Sequence, residues 1–254
     1  MEPSKRIAVA GATGRVGRHV VDVLEENGHE VVPISRSTGV DVITGEGLDD
    51  ALVGVEAIVD AATGPSPEQE AATEFFTTAA RNLQQAGERA GVRLAVVVSI
   101  IGTDRFTAGY GAAKLAHERA WLSGPIPVRI LRAAQFHEFV AQLVHWGRQG
   151  DVVYVPPMRT QVVAARAVAE ALAELAVTSD APQLSEIAGP REESLVELAE
   201  LLVARQGEGL RVEAVSDPND PDAAVYESGA LLPGTDAIIA GPAFGDWLES
   251  EVPA

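Results

Sequence analysis

Short apolar runs alternate with longer amphipathic segments along the first half of the chain. Residues 7–10 (Ile-Ala-Val-Ala) form an uninterrupted apolar run that ends at Gly11, after which Val16, Val20 and Val23 recur at helical spacing. An uninterrupted run predicts a strand buried on both faces, and a spacing of three to four residues predicts a helix with one buried face. The chain therefore opens with a strand, a turn and a helix.

The same alternation continues to about residue 150. Further strands are predicted at 30–35, 40–42, 57–60, 93–99 and 128–131, and helices at 48–53, 67–91, 110–122 and 135–146. Alternating strands and helices are typical of an α/β fold with helices on both faces of a parallel sheet. The predicted fold class is a doubly wound parallel Rossmann sheet.

Beyond Gly150 the pattern is less regular. Strands are predicted at 152–155 and 184–188, helices at 164–176 and 194–205, and a loop at 217–221. We expect residues 1–155 to form a Rossmann core and residues 156–254 to form a smaller C-terminal portion that completes a substrate cleft, within one compact domain. Ligands of open α/β sheets bind outside the carboxyl ends of the strands, where this portion is expected to pack.

The first turn has the composition of a phosphate-binding loop. Its sequence is Gly-Ala-Thr-Gly-Arg-Val-Gly, between a predicted strand and a predicted helix. Glycines there permit a tight turn, a close approach of backbone N–H groups to a diphosphate, and close packing of the helix. Glycines that serve packing alone are the alternative. The residues predicted to bind a dinucleotide are Gly11, Thr13, Gly14, Arg15, Val16 and Gly17.

The end of the second strand indicates which dinucleotide is bound. An NAD site places a carboxylate there, whereas this chain has Ser35 and Arg36. A guanidinium flanked by hydroxyl groups suits a 2′-phosphate, and Arg15 could reach the same group. NADP(H) is therefore favoured over NAD(H), which stays the alternative together with an Arg36 that is only solvated.

Composition limits the other partners. The 254 residues include 37 acidic and 19 basic side chains, for a formal net charge of −18, and no cysteine. This charge disfavours nucleic acid and anionic membranes, and the lack of cysteine removes disulfides and thiolate chemistry. Five scattered histidines indicate no metal site. Without a signal-peptide pattern, we expect a cytoplasmic protein with a small-molecule substrate; its long helices are candidates for a homodimer contact.

The chain resembles the atypical short-chain dehydrogenase/reductase superfamily, in its NmrA-like NAD(P)H-binding branch. The resemblance rests on the Gly-Ala-Thr-Gly turn, on segments 98–102 and 110–115, on the Asp-Val pair at 41–42, and on segment 131–136. It implies that Asp41 and Val42 border the adenine. It implies that Ala61, Ala62 and Thr63 lie beneath the adenosine ribose. The segment that it places near the nicotinamide consists of Ala133, Ala134, Gln135 and Phe136.

The resemblance also implies a catalytic group. Tyr110 and Lys114 stand four residues apart, on one face of a helix. In the family the tyrosine exchanges a proton with the substrate oxygen, while the lysine binds the nicotinamide ribose and lowers the tyrosine pKa. Ser99 would hydrogen-bond the substrate carbonyl. The alternatives are a capping tyrosine, a surface lysine, and a structural serine with Thr103 as the donor.

Four further residues are candidates for substrate contact, although core packing explains them equally well: His137, Trp146, Met158 and Gln161. The resulting prediction is an NADPH-dependent oxidoreductase that reduces a carbonyl, quinone or enone on a small apolar metabolite. The alternatives are an NADP(H)-binding redox sensor without turnover, and a non-redox isomerase, epimerase or dehydratase on the same scaffold.

Overall fold

The computed structural model describes residues 4–251. The strands are β1 (Arg6–Ala10), β2 (Glu30–Ile34), β3 (Ala57–Asp60), β4 (Leu94–Ile100), β5 (Val128–Ala133), β6 (Arg148–Gln149), β7 (Val152–Val155), β8 (Arg159–Thr160), β9 (Leu184–Ala188), β10 (Glu193–Ser194), β11 (Arg211–Ala214) and β12 (Ile238–Ile239). The helices are α1 (Gly17–Glu26), α2 (Leu48–Ala51), α3 (Gln69–Ala90), α4 (Gly109–Leu122), α5 (His137–Gly147), α6 (Ala165–Val177), α7 (Leu195–Gln206), α8 (Ala223–Glu227) and α9 (Phe244–Glu251).

A seven-stranded parallel sheet runs through the molecule in the order β12-β9-β5-β4-β3-β1-β2 and is flanked by helices. This confirms the predicted parallel Rossmann sheet. β1 pairs with β2 on one side and with β3 on the other, with Ile7 opposite both Val31 and Ala57. The chain thus crosses from one side of β1 to the other, and such a switch in strand order opens a crevice at the carboxyl ends of β1 and β3.

Burial explains why the central strands are apolar throughout. Every residue from Ile7 to Ala10 is fully buried, as are Ile58 and Val59 of β3. Strands covered by helices on both faces have no solvent-facing side, so alternation of polar and apolar residues is lost.

The chain divides into two compact units, each made of several segments. The first comprises residues 1–99, 108–132 and 168–185. Its main apolar cluster joins residues of β1, β3 and β4, such as Ala8, Ile58 and Val97, to Leu83 of α3 and Trp121 of α4. This unit contains the glycine turn and the segment with Tyr110 and Lys114.

The second unit comprises residues 100–107, 133–167 and 186–254. It holds a three-stranded sheet in the order β11-β7-β6 and a two-stranded antiparallel pair of β10 and β8. Its apolar cluster includes Val140 of α5, Val153 of β7, Leu198 of α7 and Phe244 of α9. Within residues 4–251, no helix is long and apolar enough to cross a membrane.

The predicted strand at 40–42 is wrong. Residues 42–44 form a turn instead, and the Asp41 carboxylate before it accepts hydrogen bonds from the N–H groups of Ile43 (2.7 Å) and Thr44 (3.3 Å). An aspartate that bonds the backbone two residues ahead competes with strand pairing. The carboxylate outweighs the β propensity of the two valines beside it.

Candidate functional site

The glycine turn lies where β1 ends and α1 begins. Gly11 has a φ of +75°, and its N–H donates to the carbonyl oxygen of Ile34 at 3.0 Å, which ties the turn to β2. A Cβ on Gly11 would lie 2.7 Å from the carbonyl oxygen of Ala61, and a Cβ on Gly17 would overlap the carbonyl oxygen of Gly11. Gly11 is required by its left-handed backbone and by its close approach to Ala61, and Gly17 is required by its close approach to Gly11. The turn therefore packs directly on the end of β3.

Several backbone donors of the turn are free. The N–H of Gly14 donates to the carbonyl oxygen of Gly11 at 2.8 Å, so this group shapes the turn itself. In the described part of the chain, the N–H groups of Thr13, Arg15 and Val16 have no acceptor. Donors that precede a helix, together with its positive dipole end, attract phosphate groups. The turn thus fits the diphosphate of a dinucleotide.

The end of β2 carries hydroxyl groups and one guanidinium. The N–H of Ser35 donates to Oγ1 of Thr38 at 3.0 Å, and the hydroxyl oxygens of Ser35 and Ser37 lie 2.8 Å apart. Arg36 is exposed and forms no ion pair with any residue between 4 and 251. A cation without a carboxylate partner beside a row of hydroxyl groups fits an additional phosphate.

The segment that contains Asp41 and Val42 is fixed in place. Nδ2 of Asn82, on α3, donates to the carbonyl oxygens of Val42 (2.9 Å) and Ile43 (2.8 Å), and Val42 packs against the main apolar cluster. The Asp41 carboxylate is used by the turn that follows it. These contacts hold the segment beside α3, and the adenine contact of Asp41 and Val42 stays a prediction.

The segment after β3 contacts the glycine turn. Gly11 approaches the backbone of Ala61 and Ala62, and the N–H of Ala62 donates to Oδ1 of Asp60 at 3.0 Å. Ala62 is buried, whereas Thr63 is exposed. The carboxyl ends of β1 and β3 therefore meet at the switch in strand order, which supports the predicted ribose contact of Ala61, Ala62 and Thr63.

Tyr110 lies at the start of α4, half-buried against Phe76 of α3. The two rings make an edge contact with centroids 5.8 Å apart, and the phenol oxygen lies 3.4 Å from Oγ1 of Thr63. Burial raises the pKa of Tyr110, and the hydrogen bond with Thr63 offsets only part of this effect. This direction is opposite to the lowering expected from a nearby ammonium, so the phenol is held in its protonated form.

Lys114 is buried and lies one turn further along α4. Its Nζ donates to the carbonyl oxygen of Val98 at 2.8 Å, lies 2.9 Å from Nδ1 of His117, and stands 4.4 Å from the ring centroid of Phe76. Burial lowers the pKa of Lys114 to about 8, although the charges of Asp60 and Glu118 act in the opposite direction. Lys114 is therefore not a surface cation.

Ser99, the residue after Val98 on β4, is 2% exposed. Its hydroxyl oxygen has no hydrogen-bond partner among the described residues. A buried polar group without a partner is rare in a folded protein and costs free energy. This orphan hydroxyl is consistent with a donor that awaits a ligand.

Three buried residues of this region were not predicted from the sequence. Asp60, His117 and Trp121 are buried together, with Nε2 of His117 and Nε1 of Trp121 lying 3.0 and 2.8 Å from Oδ2 of Asp60. Asp60 ends an otherwise apolar run, and His117 and Trp121 follow Lys114 at helical spacing. A charged residue at the end of a buried strand was the signal that could have revealed them.

The segment predicted to lie near the nicotinamide belongs to the second unit. Ala133 and Ala134 are buried, and Oε1 of Gln135 accepts a hydrogen bond from the Thr160 hydroxyl at 2.5 Å. The carbonyl oxygen of Gln135 also accepts from the N–H of Val163 at 3.0 Å, and Phe136 forms a parallel bridge with Val163. The segment is rigidly held, and its contact with a cofactor stays a prediction.

His137 begins α5 and is fully buried. Its Nε2 lies 3.2 Å from the carbonyl oxygen of Val162 and its ring packs on Phe244 and Trp247 at 5.5 and 5.2 Å, whereas Nδ1 has no partner among the described residues. Burial lowers the pKa of His137 to about 4. The neutral ring thus donates through Nε2 and leaves Nδ1 as a free acceptor.

The other predicted substrate residues occupy different settings within the second unit. Met158 is 5% exposed and packs in the apolar cluster, and Nε2 of Gln161 donates to the carbonyl oxygen of Gly189 at 2.6 Å. Trp146 is 54% exposed and touches the ring of Phe139 edge-on. The surroundings of Met158 favour packing, and its role as a substrate contact stays a prediction.

Solved structures share this fold over nearly the whole chain. The NADP complex of dTDP-4-dehydrorhamnose reductase from Bacillus anthracis has a TM-score of 0.75 and 17% identity, covering 98% of both chains. The NADPH-dependent quinone oxidoreductase of Escherichia coli, with NADPH, has a TM-score of 0.71 and 16% identity, covering 96% of this chain and 99% of its own. UDP-N-acetylglucosamine 4-epimerase from Bacillus cereus has a TM-score of 0.68 and 19% identity, covering 99% and 98%.

At such identities the likeness shows the fold alone. No curated protein matches the chain in sequence. A family model described as NAD(P)H-binding matches residues 11–179, a range that starts at the glycine turn and includes Arg36, Tyr110 and Lys114. The match confirms the resemblance drawn from the sequence and the expected nicotinamide dinucleotide cofactor. The chain therefore belongs to the NAD(P)H-binding family.

Proposed function

We propose that the protein is an NADPH-dependent oxidoreductase that reduces a carbonyl, quinone or enone on a small, neutral, largely apolar metabolite. The observation that carries this proposal is the arrangement at the end of β4. There the carbonyl of Val98 holds the buried ammonium of Lys114, and the next residue, Ser99, keeps a buried hydroxyl without a partner. A cation and a free donor at one strand end suit an oxygen that gains negative charge during reduction.

The protein residues would bind and protonate, while the bound cofactor supplies the hydride. Ser99 would donate a hydrogen bond to the substrate oxygen. Tyr110, whose raised pKa keeps it protonated, would give the proton that this oxygen needs. Lys114, with a pKa of about 8, is mostly charged at neutral pH and would stabilise the same oxygen or the cofactor ribose.

The preference for NADPH over NADH rests on Arg36. This guanidinium is exposed at the end of β2, lies beside Ser35 and Ser37, and forms no ion pair with any residue between 4 and 251. A 2′-phosphate offers it a charge-assisted hydrogen bond that a 2′-hydroxyl cannot match. Solved structures with this fold contain NADP or NADPH in some cases and NAD in others, so the preference rests on Arg36 and not on the fold.

The neutral substrate is inferred from the candidate contact residues of the second unit. Their side chains carry no formal charge at neutral pH, since the lowered pKa keeps His137 neutral. Uncharged contact side chains favour a neutral substrate group beside them, because a charge buried among them would be unpaired.

The test is a comparison of cofactor consumption with product formation. The purified protein is incubated with NADPH and a panel of aldehydes, ketones, quinones and enones, and nicotinamide absorbance and products are followed together. We expect substrate-dependent loss of absorbance with at least one class. Tight NADPH binding without any turnover would favour a redox sensor, and product without NADPH consumption would favour an isomerase, epimerase or dehydratase; either result would overturn the proposal.

A further inference from the structure

A chain of buried polar groups runs from β3 through α4 to β4 in the first unit. Oδ2 of Asp60 lies 3.0 Å from Nε2 of His117, Nδ1 of His117 lies 2.9 Å from Nζ of Lys114, and this Nζ donates to the carbonyl oxygen of Val98. Asp60, His117 and Lys114 are 1%, 1% and 5% exposed. Of these three side chains, only Lys114 takes part in the proposed reaction. Asp60 and His117 have no role in it.

The hydrogen bonds determine where each proton lies. An ammonium has donors only, so Nδ1 of His117 must accept from Lys114. Nε2 of the neutral ring then carries the proton and donates to Asp60. Nε1 of Trp121, which also lies 3.1 Å from this Nε2, therefore donates to the carboxylate and not to the ring. The carboxylate also accepts from Nε1 of Trp121 at 2.8 Å and from the N–H of Ala62 at 3.0 Å. Every polar atom of Asp60 and His117 is thus satisfied.

Helix α4 places these groups on one face. Lys114, His117 and Trp121 stand at i, i+3 and i+7, a spacing that aligns side chains along a helix. Phe76 of α3 covers them: its ring stacks on His117 with centroids 4.6 Å apart and lies 4.4 Å from the Lys114 ammonium. The side chain of Lys114 therefore has little freedom to turn away.

The charges around the ammonium are balanced. Asp60 on β3 and Glu118 on α4 are the negative groups, and Arg132 on β5 pairs with Glu118 at 2.9 Å. Burial alone would raise the pKa of Asp60, but the hydrogen bond and charge of His117, the N–H of Ala62 and the charge of Lys114 hold it below its usual value. Burial and the charge of Lys114 keep the pKa of His117 low, against the hydrogen bond with Asp60 and the charges of Asp60 and Glu118. In this chain of polar groups, Asp60 is therefore a carboxylate, His117 a neutral imidazole and Lys114 an ammonium.

A structural role alone does not explain this arrangement. Buried charges lose their hydration, and apolar side chains of similar volume often serve stability as well or better. Lys114 also has three N–H donors, of which Val98 and His117 accept two, and no third acceptor is found among residues 4–251. One donor of a rigidly held ammonium is left for an oxygen from outside the protein.

We propose that Asp60 and His117 are positioning residues, which fix the Lys114 ammonium at the end of β4 so that its remaining N–H meets an oxygen of the cofactor ribose or of the substrate. This inference rests on the proposed function for the identity of that oxygen. The positioning of Lys114 by His117 and Asp60 does not depend on the proposed function. Asp60 orients His117, and His117 orients Lys114.

The test exploits a property of the sequence, which contains only two lysines, Lys5 and Lys114. Protein labelled at lysine Nζ gives one NMR signal from each, so the pKa of Lys114 is measured without substrate and Lys5 serves as an internal reference. In the wild-type protein we expect Lys114 to titrate near pH 8. In Asp60→Asn, the loss of a nearby carboxylate should lower this pKa by about one unit or more. The basic limb of the pH profile of kcat/KM should move by the same amount.

A second pair of variants separates orientation from charge. Asn at position 117 can offer an acceptor near the place of Nδ1, whereas Gln reaches the place of Nε2 and leaves Lys114 without its acceptor. We expect His117→Gln to lower kcat about tenfold or more, as expected when a catalytic group is misplaced, and His117→Asn to restore part of this loss. Gln84→Leu is the control, because it breaks buried bonds to main-chain atoms of Trp121 and Ile126 and removes no hydrogen bond of Asp60, His117 or Lys114.

The outcomes distinguish this inference from the proposed function. An active enzyme whose Lys114 titrates at the ordinary value of 10.5, or identically in wild type and Asp60→Asn, would overturn the positioning role. Should Asp60→Asn not fold, the wild-type titration and the two His117 variants still decide. A protein that turns over nothing but shows the lowered pKa and its shift would overturn the proposed function and leave the positioning of Lys114 established.

Discussion

Gly17 packs so closely on Gly11 that a Cβ at position 17 would overlap the carbonyl oxygen of Gly11. We expect Gly17→Ala to push α1 away from the turn and to displace the free N–H groups of Thr13, Arg15 and Val16. A shift of about 1 Å in such positioning groups can cost on the order of 100-fold in function, so NADPH affinity should fall to a similar extent. Isothermal titration calorimetry with NADPH measures the effect.

The control for this variant is Gly28→Ala. Unlike Gly17, Gly28 has a left-handed backbone, with φ +82°, and a Cβ there meets nothing within 4 Å. The Gly28→Ala variant should lose roughly 1–2 kcal/mol of unfolding free energy because of backbone strain, and it should bind NADPH with unchanged affinity. Equal losses of affinity in both variants would show that general destabilisation, and not the turn, governs binding.

Arg36→Ala should change cofactor preference. Loss of a charge-assisted hydrogen bond worth roughly 1.5–3 kcal/mol predicts an increase of about 10- to 100-fold in the Kd for NADPH, with little change for NADH. Arg119→Ala removes the same charge from an exposed position on α4 and should leave both constants unchanged. If Arg36→Ala raised the Kd values for NADPH and NADH by the same factor, Arg36 would not be a 2′-phosphate contact.

The sequence was sufficient to predict the central sheet because its strands are buried on both faces. Apolar runs such as 57–59 and 94–98 are then diagnostic, and each lies within a strand of the structure. Partly exposed elements of the last third, such as β11, β12 and α9, carry no such pattern and were not predicted. The boundary between residues 155 and 156 stays a prediction.

The site was predicted unevenly, for a related reason. The glycine turn depends on local spacing, which a sequence displays directly. The chain of Asp60, His117 and Lys114 depends on β3 and α4 meeting in space, 57 positions apart for the first two residues. The orphan state of the Ser99 hydroxyl likewise follows from surroundings that residues 94–100 do not encode by themselves.

Tyr110→Phe tests the proton donor. Its hydroxyl makes only a long contact of 3.4 Å with Thr63, so its removal should change the unfolding free energy by no more than about 0.5 kcal/mol. If the phenol protonates the substrate oxygen, kcat should fall by about 100-fold or more, with the Kd for NADPH unchanged. Tyr154→Phe removes a hydroxyl in the second unit and serves as the matched control. Full turnover by Tyr110→Phe would end the catalytic assignment of Tyr110.

We expect the buried, neutral His137 to make the second unit sensitive to acid. Its pKa in the folded protein, about 4, lies below the ordinary 6.5 expected in the unfolded chain. Between these values the unfolded chain binds a proton that the folded protein does not, so stability is present at neutral pH and is lost as the pH falls from about 6.5 to about 4. The full loss is up to about 3 kcal/mol.

His137→Gln should flatten this dependence, because the amide can still donate to Val162 but takes up no proton. Urea unfolding between about pH 7 and about pH 4.5 measures the slope in each protein. His145→Gln, at an exposed position on the same helix, should keep the wild-type slope. Since Asp60 and His117 are present in all three proteins, the difference between slopes reports position 137 alone. Identical slopes would contradict the buried, neutral state of His137.

Ser99→Ala should separate activity from stability. The Ser99 hydroxyl is buried without a partner, so its removal deletes an unsatisfied group and should leave the unfolding free energy unchanged or raise it by up to about 1 kcal/mol. If this hydroxyl donates to the substrate oxygen, kcat should fall on the order of 100-fold, as for other donors to a developing negative charge. In Ser123→Ala, the lost bond to Ala120 lies at an exposed helix end, and activity should stay normal. A less stable Ser99→Ala with normal kcat would mean that the hydroxyl serves the fold, because a group that awaits a substrate contributes nothing to the protein without it.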